Sequence, residues 1–465
     1  MNLRVLRTEL LRSAAPWAGL VVLAGGLGFL YALNGPWWGT SVQWTDQWTP
    51  MALWTRVVLA YVWPLVGGVG ALYALRDHRS RMPELLTSTP RPAWQRAAAP
   101  ATAIALALTA GFVALLLWGG VQVALGTTTV TSLGWLPISA VALLALLAAA
   151  LLGMGAARTL PSPLTPPLVV VLLLAVNITL MQNSDGRLPA ANIAPHLLSQ
   201  LSPVVAQPRQ VLLTLTGAVH LGQALWLLGL LATGFALLTA TRARARLTAV
   251  VPALGGAVLA LLVLPGDPAG SYRVDTAAAS PACEGPVCVS EIRHDRLAAL
   301  APTATEALRV LDKALGDDAP RRVREETAPR ALMENRQLEA DSVLFNFEDP
   351  QIGAAKGGQL LRRLVGEGIA PSCTASTARE FGSGETLVVQ SVLASWALGE
   401  FRVIDADVYD ADEYRASTRR TWERFMALSP AERRSRAAEV REAALGCEFT
   451  YPDELAGGSA RRTGR

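Results

Sequence analysis

The longest uncharged stretch of the chain covers residues 97–157 and reads AAAPATAIALALTAGFVALLLWGGVQVALGTTTVTSLGWLPISAVALLALLAAALLGMGAA. A helix that crosses a hydrocarbon core needs roughly 20 apolar residues, so this stretch is too long for one crossing. Polar and glycine residues at 126–129 and 132–134 interrupt it near the middle. The stretch therefore predicts two membrane-spanning helices, over 101–124 and 136–157, joined by a short turn.

Five further segments are long and apolar enough to span a membrane: 14–33, 53–75, 164–181, 211–241 and 247–264. Residues 1–265 contain 15 Lys and Arg against 5 Asp and Glu, whereas residues 266–465 contain 26 against 32. The fold class predicted is mostly α: a polytopic seven-helix transmembrane bundle followed by a mainly α domain with some β. This composition excludes a simple cytosolic enzyme, a disordered chain and a single-span anchor. It also argues against nucleic acid as a partner, because the basic excess lies in the membrane part.

The basic residues predict the orientation of the chain. If the N-terminus is cytoplasmic, twelve arginines fall in cytoplasmic segments and only Arg56, Arg187 and Arg209 fall outside. Positive charge concentrates on the cytoplasmic side of membrane proteins. We therefore expect a multi-pass protein of the cell membrane, with a cytoplasmic N-terminus, no cleavable signal peptide and an extracytoplasmic domain from residue 266 onward.

The four cysteines, Cys283, Cys288, Cys373 and Cys447, all lie in the part predicted to be external. Exported domains keep disulfides, whereas cytosolic proteins rarely do. Of the three possible pairings, the sequence favours Cys283 with Cys288, across a Gly-Pro turn, and Cys373 with Cys447. A zinc site at the Cys-x4-Cys spacing is the competing interpretation.

Few polar residues lie within the apolar segments: Gln122, Asn177, His220 and Gln223. His220 and Gln223, one helical turn apart, either line a path through the membrane or hydrogen-bond to a neighbouring helix. A neutral histidine packed between helices is the favoured interpretation. The lack of a charged row along one helix argues against a proton pump or a charged ion-channel filter.

Residues 266–456 show the pattern of amphipathic helices. Thr303 and Glu306 predict a capping box that opens a helix ending at Gly316, and Ser429 with Pro430 predicts another helix start. His294 is the only histidine here, so no two-histidine zinc site, other metal site or catalytic group is expected, and the chain is not predicted to be an enzyme. We predict helices over 356–365, 385–398, 411–428 and 430–445, a strand over 342–347 and a disordered tail over 457–465.

Three segments of the membrane part carry a family resemblance. Residues 1–13 have Leu3, Leu6 and Leu10 at helical spacing between arginines, the loop 76–96 contains ELLTSTP at 84–90, and 184–210 is broken by Pro and Gly. With the first six spans, this arrangement resembles the type-2 ABC exporter permeases. The resemblance implies a cytoplasmic amphipathic helix over 1–13, a six-span domain over 14–242, and re-entrant helices between the fifth and sixth spans.

The resemblance also implies how such a chain obtains energy. The loop would contain a coupling helix that docks onto a separate ATPase subunit, and its contact residues would be Arg79, Arg81, Glu84, Leu85 and Arg91. No G-x-x-x-x-G-K-[ST] motif is present, so ATP would be used by the separate subunit and the chain itself would need no cofactor. A second permease, forming a homodimer or heterodimer, is the other partner expected beside the lipid bilayer.

The chain departs from the family pattern in two additions, a seventh span at 243–265 and the domain that follows it. That domain faintly resembles the peptidase-like external domains of some bacterial permeases, and its missing histidines would mean that hydrolysis has been lost. The expected function is the permease subunit of an ABC-type exporter. The alternative is a non-transporting membrane scaffold or sensor that presents an extracytoplasmic binding domain.

Overall fold

The computed structural model describes residues 10, 13, 15–33, 44–45, 47–79, 92–126, 130, 132–181, 196–204, 212–266, 268–327, 336–347, 349–373, 383–406, 408 and 410–458. The chain divides into two compact units between Arg273 and Val274. Each unit has a hydrophobic core of its own.

The first unit is helical. Its elements are α1 (Ala15–Leu33), α2 (Trp48–Arg79), α3 (Ala93–Leu125), α4 (Trp135–Thr159), α5 (Thr165–Met181), α6 (His196–Ser199), β1 (Leu213–Leu215), α7 (Gly217–Thr239), α8 (Ala243–Thr248), α9 (Val251–Val263) and β2 (Tyr272–Val274). Within the described part of the chain, six helices are long and apolar enough to cross a membrane, counting 243–263 as one, and α5 is a shorter apolar helix. This fits a multi-pass membrane protein. The helix predicted over 211–241 is wrong at its start, because residues 213–215 form a strand that pairs with β2.

Glycines allow the helices of this unit to touch backbone to backbone. α2 packs against α1, α4 and α5, α4 packs against α7, and α7 packs against α9. A Cβ added at Gly153 in α4 would lie 1.9 Å from the Gly67 carbonyl oxygen in α2, and one added at Gly111 would lie 2.2 Å from the Gly19 oxygen. Helices in lipid associate mainly through such close packing, since lipid tails are as apolar as the side chains.

Helices α2, α4 and α7 run in the same direction. The Trp63 indole nitrogen donates to the Ala145 carbonyl at 3.0 Å, and further along both helices Gly67 meets Gly153. Likewise, α7 meets α4 near its start through Val219 and Ile138, and later through Gly234 and Gly155. The N-terminal ends of these three helices therefore lie together, and we call this the Trp48 end of the bundle.

The second unit packs helices around a four-stranded sheet in the order β3 (Pro281–Glu284), β4 (Val287–Ser290), β5 (Arg322–Glu325) and β6 (Ser342–Phe345). β3 and β4 are antiparallel, whereas β4, β5 and β6 are parallel neighbours. The two-residue turn at 285–286 places Gly285 at φ 59°, which suits glycine. The helices are α10 (His294–Leu315), α11 (Pro350–Gly353), α12 (Gly357–Ile369), α13 (Ser383–Leu398), α14 (Ala411–Ala427), α15 (Pro430–Leu445) and α16 (Pro452–Leu455).

Of two helix starts predicted in this unit, one is confirmed by the structure and the other is wrong. Ser429 and Glu432 form a capping box at the start of α15, as predicted. The capping box predicted at Thr303 is wrong: α10 begins nine residues earlier, at His294, and carries Pro302 in its interior. Leu297 and Leu300 are buried and extend the apolar stripe toward the N-terminus, so burial outweighs the local capping signal.

Both disulfides favoured by the sequence are present. Cys283 and Cys288 are bonded across the β3–β4 hairpin, where they occupy directly paired positions. Cys373, just after α12, is bonded to Cys447, just after α15. The zinc interpretation therefore finds no free sulfur, since all four cysteines are bonded.

The glycine contacts yield a first prediction. Gly153→Ala should destabilise the full-length protein by about 1–3 kcal/mol, because the new methyl group would overlap the backbone of α2. Gly255→Ala is the matched control: it lies in α9 with nothing within 4 Å of its Cβ position, and should leave stability unchanged or raise it by up to about 1 kcal/mol. Thermal unfolding in detergent measures both. Equal midpoints for the two variants would contradict the packing described.

Candidate functional site

Several residues expected to be functional lie outside the described residues. Residues 80–91 contain Arg81, Glu84, Leu85 and Arg91 of the predicted coupling loop. Arg79 is the last residue of α2, and its side chain is likewise not among those described. The predicted helix over 1–13 also lies outside the described residues, apart from residues 10 and 13, and so does the tail beyond 458.

The most buried charged side chain of the first unit is Arg56, in α2. It is the only charged residue between Trp48 and Leu75, and none of its surface is exposed. Its Nε donates to the Pro203 carbonyl at 2.7 Å, and its Nη2 donates to Gln223 Oε1 of α7 at 2.8 Å. From the sequence, Arg56 counted only as one of three arginines outside the cytoplasmic segments, and its place in the bundle was not predicted. A lone charge inside a spanning segment was the available signal.

Four successive carbonyls of the segment after α6 accept hydrogen bonds from side chains. Gln223 Nε2 donates to the oxygens of Gln200 (2.9 Å) and Ser202 (3.1 Å), and Trp226 Nε1 donates to Leu201 (3.0 Å). Arg56 takes the fourth, that of Pro203. Backbone carbonyls in an apolar interior must find donors within the protein, and here α2 and α7 supply them. We call this arrangement the Arg56 clamp.

A fifth contact fixes how far the segment enters the bundle. Ser202 Oγ donates to Asn177 Oδ1 of α5 at 2.6 Å, and Asn177 Nδ2 donates to the Ala60 carbonyl of α2 at 3.3 Å. Ala60 lies twelve residues after Trp48, which corresponds to about 18 Å along the helix. The segment 196–204 therefore returns into the bundle rather than lying across its end.

The other predicted polar residues divide between two places. Gln223 is part of the clamp, and His220, half-buried one turn away, lies within electrostatic range of Arg56 and Arg273. Gln122 lies elsewhere: near the end of α3 it exchanges hydrogen bonds with the Tyr31 hydroxyl of α1, which also accepts from Trp118. Gln122 is thus not part of the Arg56 clamp.

Comparison with protein-family models, with curated proteins and with solved structures gave no match. Among the described residues, no group of three or more His, Cys, Asp or Glu side chains is placed to hold a metal ion. The clamp offers hydrogen-bond donors and a positive charge, an arrangement suited to positioning and binding.

The second unit has buried charges at the carboxyl ends of its parallel strands. Glu325, at the end of β5, accepts hydrogen bonds from the backbone nitrogen and the hydroxyl of Ser290, at 2.8 and 2.6 Å. Burial raises the pKa of the Glu325 carboxyl, while the Ser290 hydrogen bonds and the charges of Arg293 and Arg296 oppose the rise. A carboxyl in this environment binds its proton more tightly than one in water.

The adjacent residue, Glu326, belongs to a separate ionic network. Arg336 Nε lies 3.3 Å from the Glu326 carboxylate, and its Nη1 lies 3.5 Å from that of Glu367. Glu367 in turn accepts from the Ser372 hydroxyl at 2.7 Å and from Gln390 at 3.0 Å. The Arg336 backbone nitrogen donates to the Cys373 carbonyl. This network fastens the start of the disulfide-bonded segment to β5, α12 and α13.

The raised pKa of Glu325 predicts a pH dependence of stability. Folding favours the protonated carboxyl, so its contribution is complete below the unfolded-state pKa and is lost as the pH rises through the raised folded-state value. Glu325→Gln mimics the protonated form. The stability of the wild type relative to this variant should therefore fall between pH 4 and pH 8, as measured by denaturant unfolding of the full chain.

Glu432→Gln is a control in which the pH dependence of stability should have the opposite sign. Hydrogen bonds from Ser429 lower the pKa of Glu432, so its contribution is present above the unfolded-state pKa and is lost as the pH falls. Parallel stability curves for the wild type and Glu325→Gln across this pH range would refute the assignment for Glu325.

Proposed function

We propose that the chain is the membrane-spanning permease subunit of an ABC-type exporter, energised by a separate ATPase through the cytoplasmic loop 76–96. The observation that carries the proposal is the segment 196–204, which returns into the bundle between α5 and α7 and is held there by α2, α5 and α7. The family resemblance implies re-entrant helices at this place. The six long apolar helices are consistent with the same architecture.

In this proposal α5 is counted as the fifth of seven spans, and α9 as the seventh. An odd number of spans carries the second unit to the outside of the cell when the N-terminus is cytoplasmic. The two disulfides of that unit support this placement, because disulfides persist in oxidising compartments. The permease would work as a homodimer or heterodimer with an ATPase subunit that alone uses ATP.

The alternative function is a non-transporting scaffold or sensor that presents the second unit outside the cell. The clamp favours this alternative in one respect. Four consecutive carbonyls and two side chains hold the segment 196–204 in a fixed position, whereas transport requires that the path through the bundle open. The two functions differ in whether an ATPase must bind the loop.

Substitution of the coupling loop tests the proposal directly. The tagged chain is purified from its native cells in mild detergent, and bound ATP-binding proteins are labelled with a photoreactive ATP analogue and identified by mass spectrometry. We expect one ATPase to co-purify with the wild type and to decrease several-fold with the double variant E84A/L85A, since a docked helix transmits force only through its contacts. R158A should retain it, because Arg158 is an exposed arginine in the last turn of α4, at an end expected on the same side of the membrane.

An ATPase recovered equally with the wild type and with E84A/L85A would contradict the loop assignment. A wild type that co-purifies with no ATPase would favour the scaffold.

The proposed orientation is tested with two single-cysteine reporters. All native cysteines are disulfide-bonded, so they give no background with a membrane-impermeant maleimide. Glu306→Cys, in α10, should be labelled in intact cells, whereas Arg244→Cys, in α8, should be labelled only after the membrane is permeabilised. The opposite pattern would place the second unit in the cytoplasm and remove the support that the disulfides give.

A further inference from the structure

Five buried polar atoms of the first unit have no hydrogen-bond partner among the described residues. Two of them are Gln47 Oε1 and Trp54 Nε1, and the other three lie on three neighbouring helices. They are Arg56 Nη1 on α2, Ser139 Oγ on α4 and His220 Nδ1 on α7. Arg56 is fully buried and Ser139 is 4% exposed. A buried polar group without a partner is unfavourable, and more so when it is charged. Three in one place point to a shared acceptor.

The packing places the three residues at one level of the bundle. Ala52 and Leu53 of α2, Ile138 of α4 and Val219 of α7 share one apolar cluster. Ser139 and His220 directly follow two of these residues, and Arg56 lies one turn after Ala52. Because the three helices run in the same direction, their polar groups lie just beneath this cluster. His220 is also within electrostatic range of Arg56.

The clamp fixes the direction of the Arg56 donors. Both hydrogen-bonded atoms of the guanidinium bind neutral acceptors, the Pro203 carbonyl and Gln223 Oε1. The amide nitrogen of Gln223 is held by two carbonyls, so its oxygen must face Arg56. The guanidinium is thereby held in place with its positive charge not neutralised by any carboxylate among the described residues. Such a buried charge is strongly unfavourable unless an anion pairs with it.

The chemistry of the donors and their depth indicate what the anion is. A guanidinium amino group and a hydroxyl, together with an imidazole nitrogen when it carries the ring proton, suit an oxyanion with several acceptor oxygens. Arg56 lies eight residues after Trp48, about 12 Å further along the helix. Trp48 and Trp135 stack at the same end, with ring centroids 5.5 Å apart. Tryptophans of this kind sit at the headgroup level of a membrane, where the oxyanion at hand is phosphate.

We propose that Arg56, Ser139 and His220 bind one phosphate group at the Trp48 end of the bundle, supplied either by the headgroup of an anionic phospholipid or by free phosphate. The site does not depend on the proposed transport function, since binding requires neither an ATPase nor an exported molecule. The clamp would then have two roles: it holds the segment 196–204, and it orients the guanidinium toward the phosphate oxygens.

The test uses the full chain in phosphatidylcholine nanodiscs and measures the midpoint of thermal unfolding. In one arm, inorganic phosphate is added at constant ionic strength; in the other, phosphatidylglycerol replaces part of the phosphatidylcholine. We expect the wild type to show a saturable rise of a few degrees in at least one arm. A response to inorganic phosphate identifies the free ion as a ligand, and a response confined to phosphatidylglycerol identifies the lipid headgroup.

Two substitutions test the residues. R56M should abolish the response, whereas R158M, which removes an exposed arginine at the opposite end of α4, should retain it. If R56M fails to fold, S139A keeps the clamp intact and should raise the half-saturating concentration of the active ligand several-fold. Equal responses in the wild type and in these site variants would overturn the proposal, as would no response in the wild type.

The acidic residues Asp46, Asp185 and Asp267 lie outside the described residues and are included as a triple Asn variant. If the wild type is unresponsive but the triple variant responds, one of the chain's own carboxylates fills the position, which would overturn the proposal of an external ligand.

Discussion

A guanidinium buried in an apolar bundle has to find its hydrogen-bond acceptors inside the protein. Arg56 is such a group, so the first unit must supply acceptors for it. Most helical carbonyls already accept helical hydrogen bonds, whereas irregular backbone inside the bundle has carbonyls that still need donors. The segment 200–203 supplies one to Arg56 and three more to Gln223 and Trp226. The dependence is mutual, since those carbonyls would be equally costly without donors. The arginine and the irregular segment therefore require each other.

The glycine contacts make this pairing geometrically possible. Gly67 and Gly153 bring α2 and α4 into backbone contact, and Gly155 and Gly234 do the same for α4 and α7. With the three helices this close and parallel, Arg56 of α2 reaches Gln223 of α7 across the bundle. Larger residues at these positions would separate the helices and move the donors away from the carbonyls. The polar site therefore depends on the close packing of the three helices.

Local pattern was sufficient to predict some of this structure. Apolar length located the long helices, and Ser429 with Glu432 located a helix start, because both signals act within a few residues. Arg56 shows where such reasoning ends: its partners lie 147 and 167 residues away, and nothing local indicates which distant carbonyl a buried charge will meet. The helix start predicted at Thr303 is wrong for a related reason: α10 begins earlier, at His294, because Leu297 is buried against the rest of the unit.

The buried arginines of the second unit show what is unusual about Arg56. Arg336 lies between the carboxylates of Glu326 and Glu367. Arg362 and Arg363 each have Asp405 within electrostatic range, and Arg441, although it binds carbonyls, has Asp318. Arg56 instead has the phenol of Tyr272 within electrostatic range, a group that is neutral at physiological pH. Each of these buried arginines of the second unit therefore has a carboxylate nearby. In the apolar bundle, where the cost of an unneutralised charge is highest, the described residues provide none, and the proposed phosphate would supply the compensating charge.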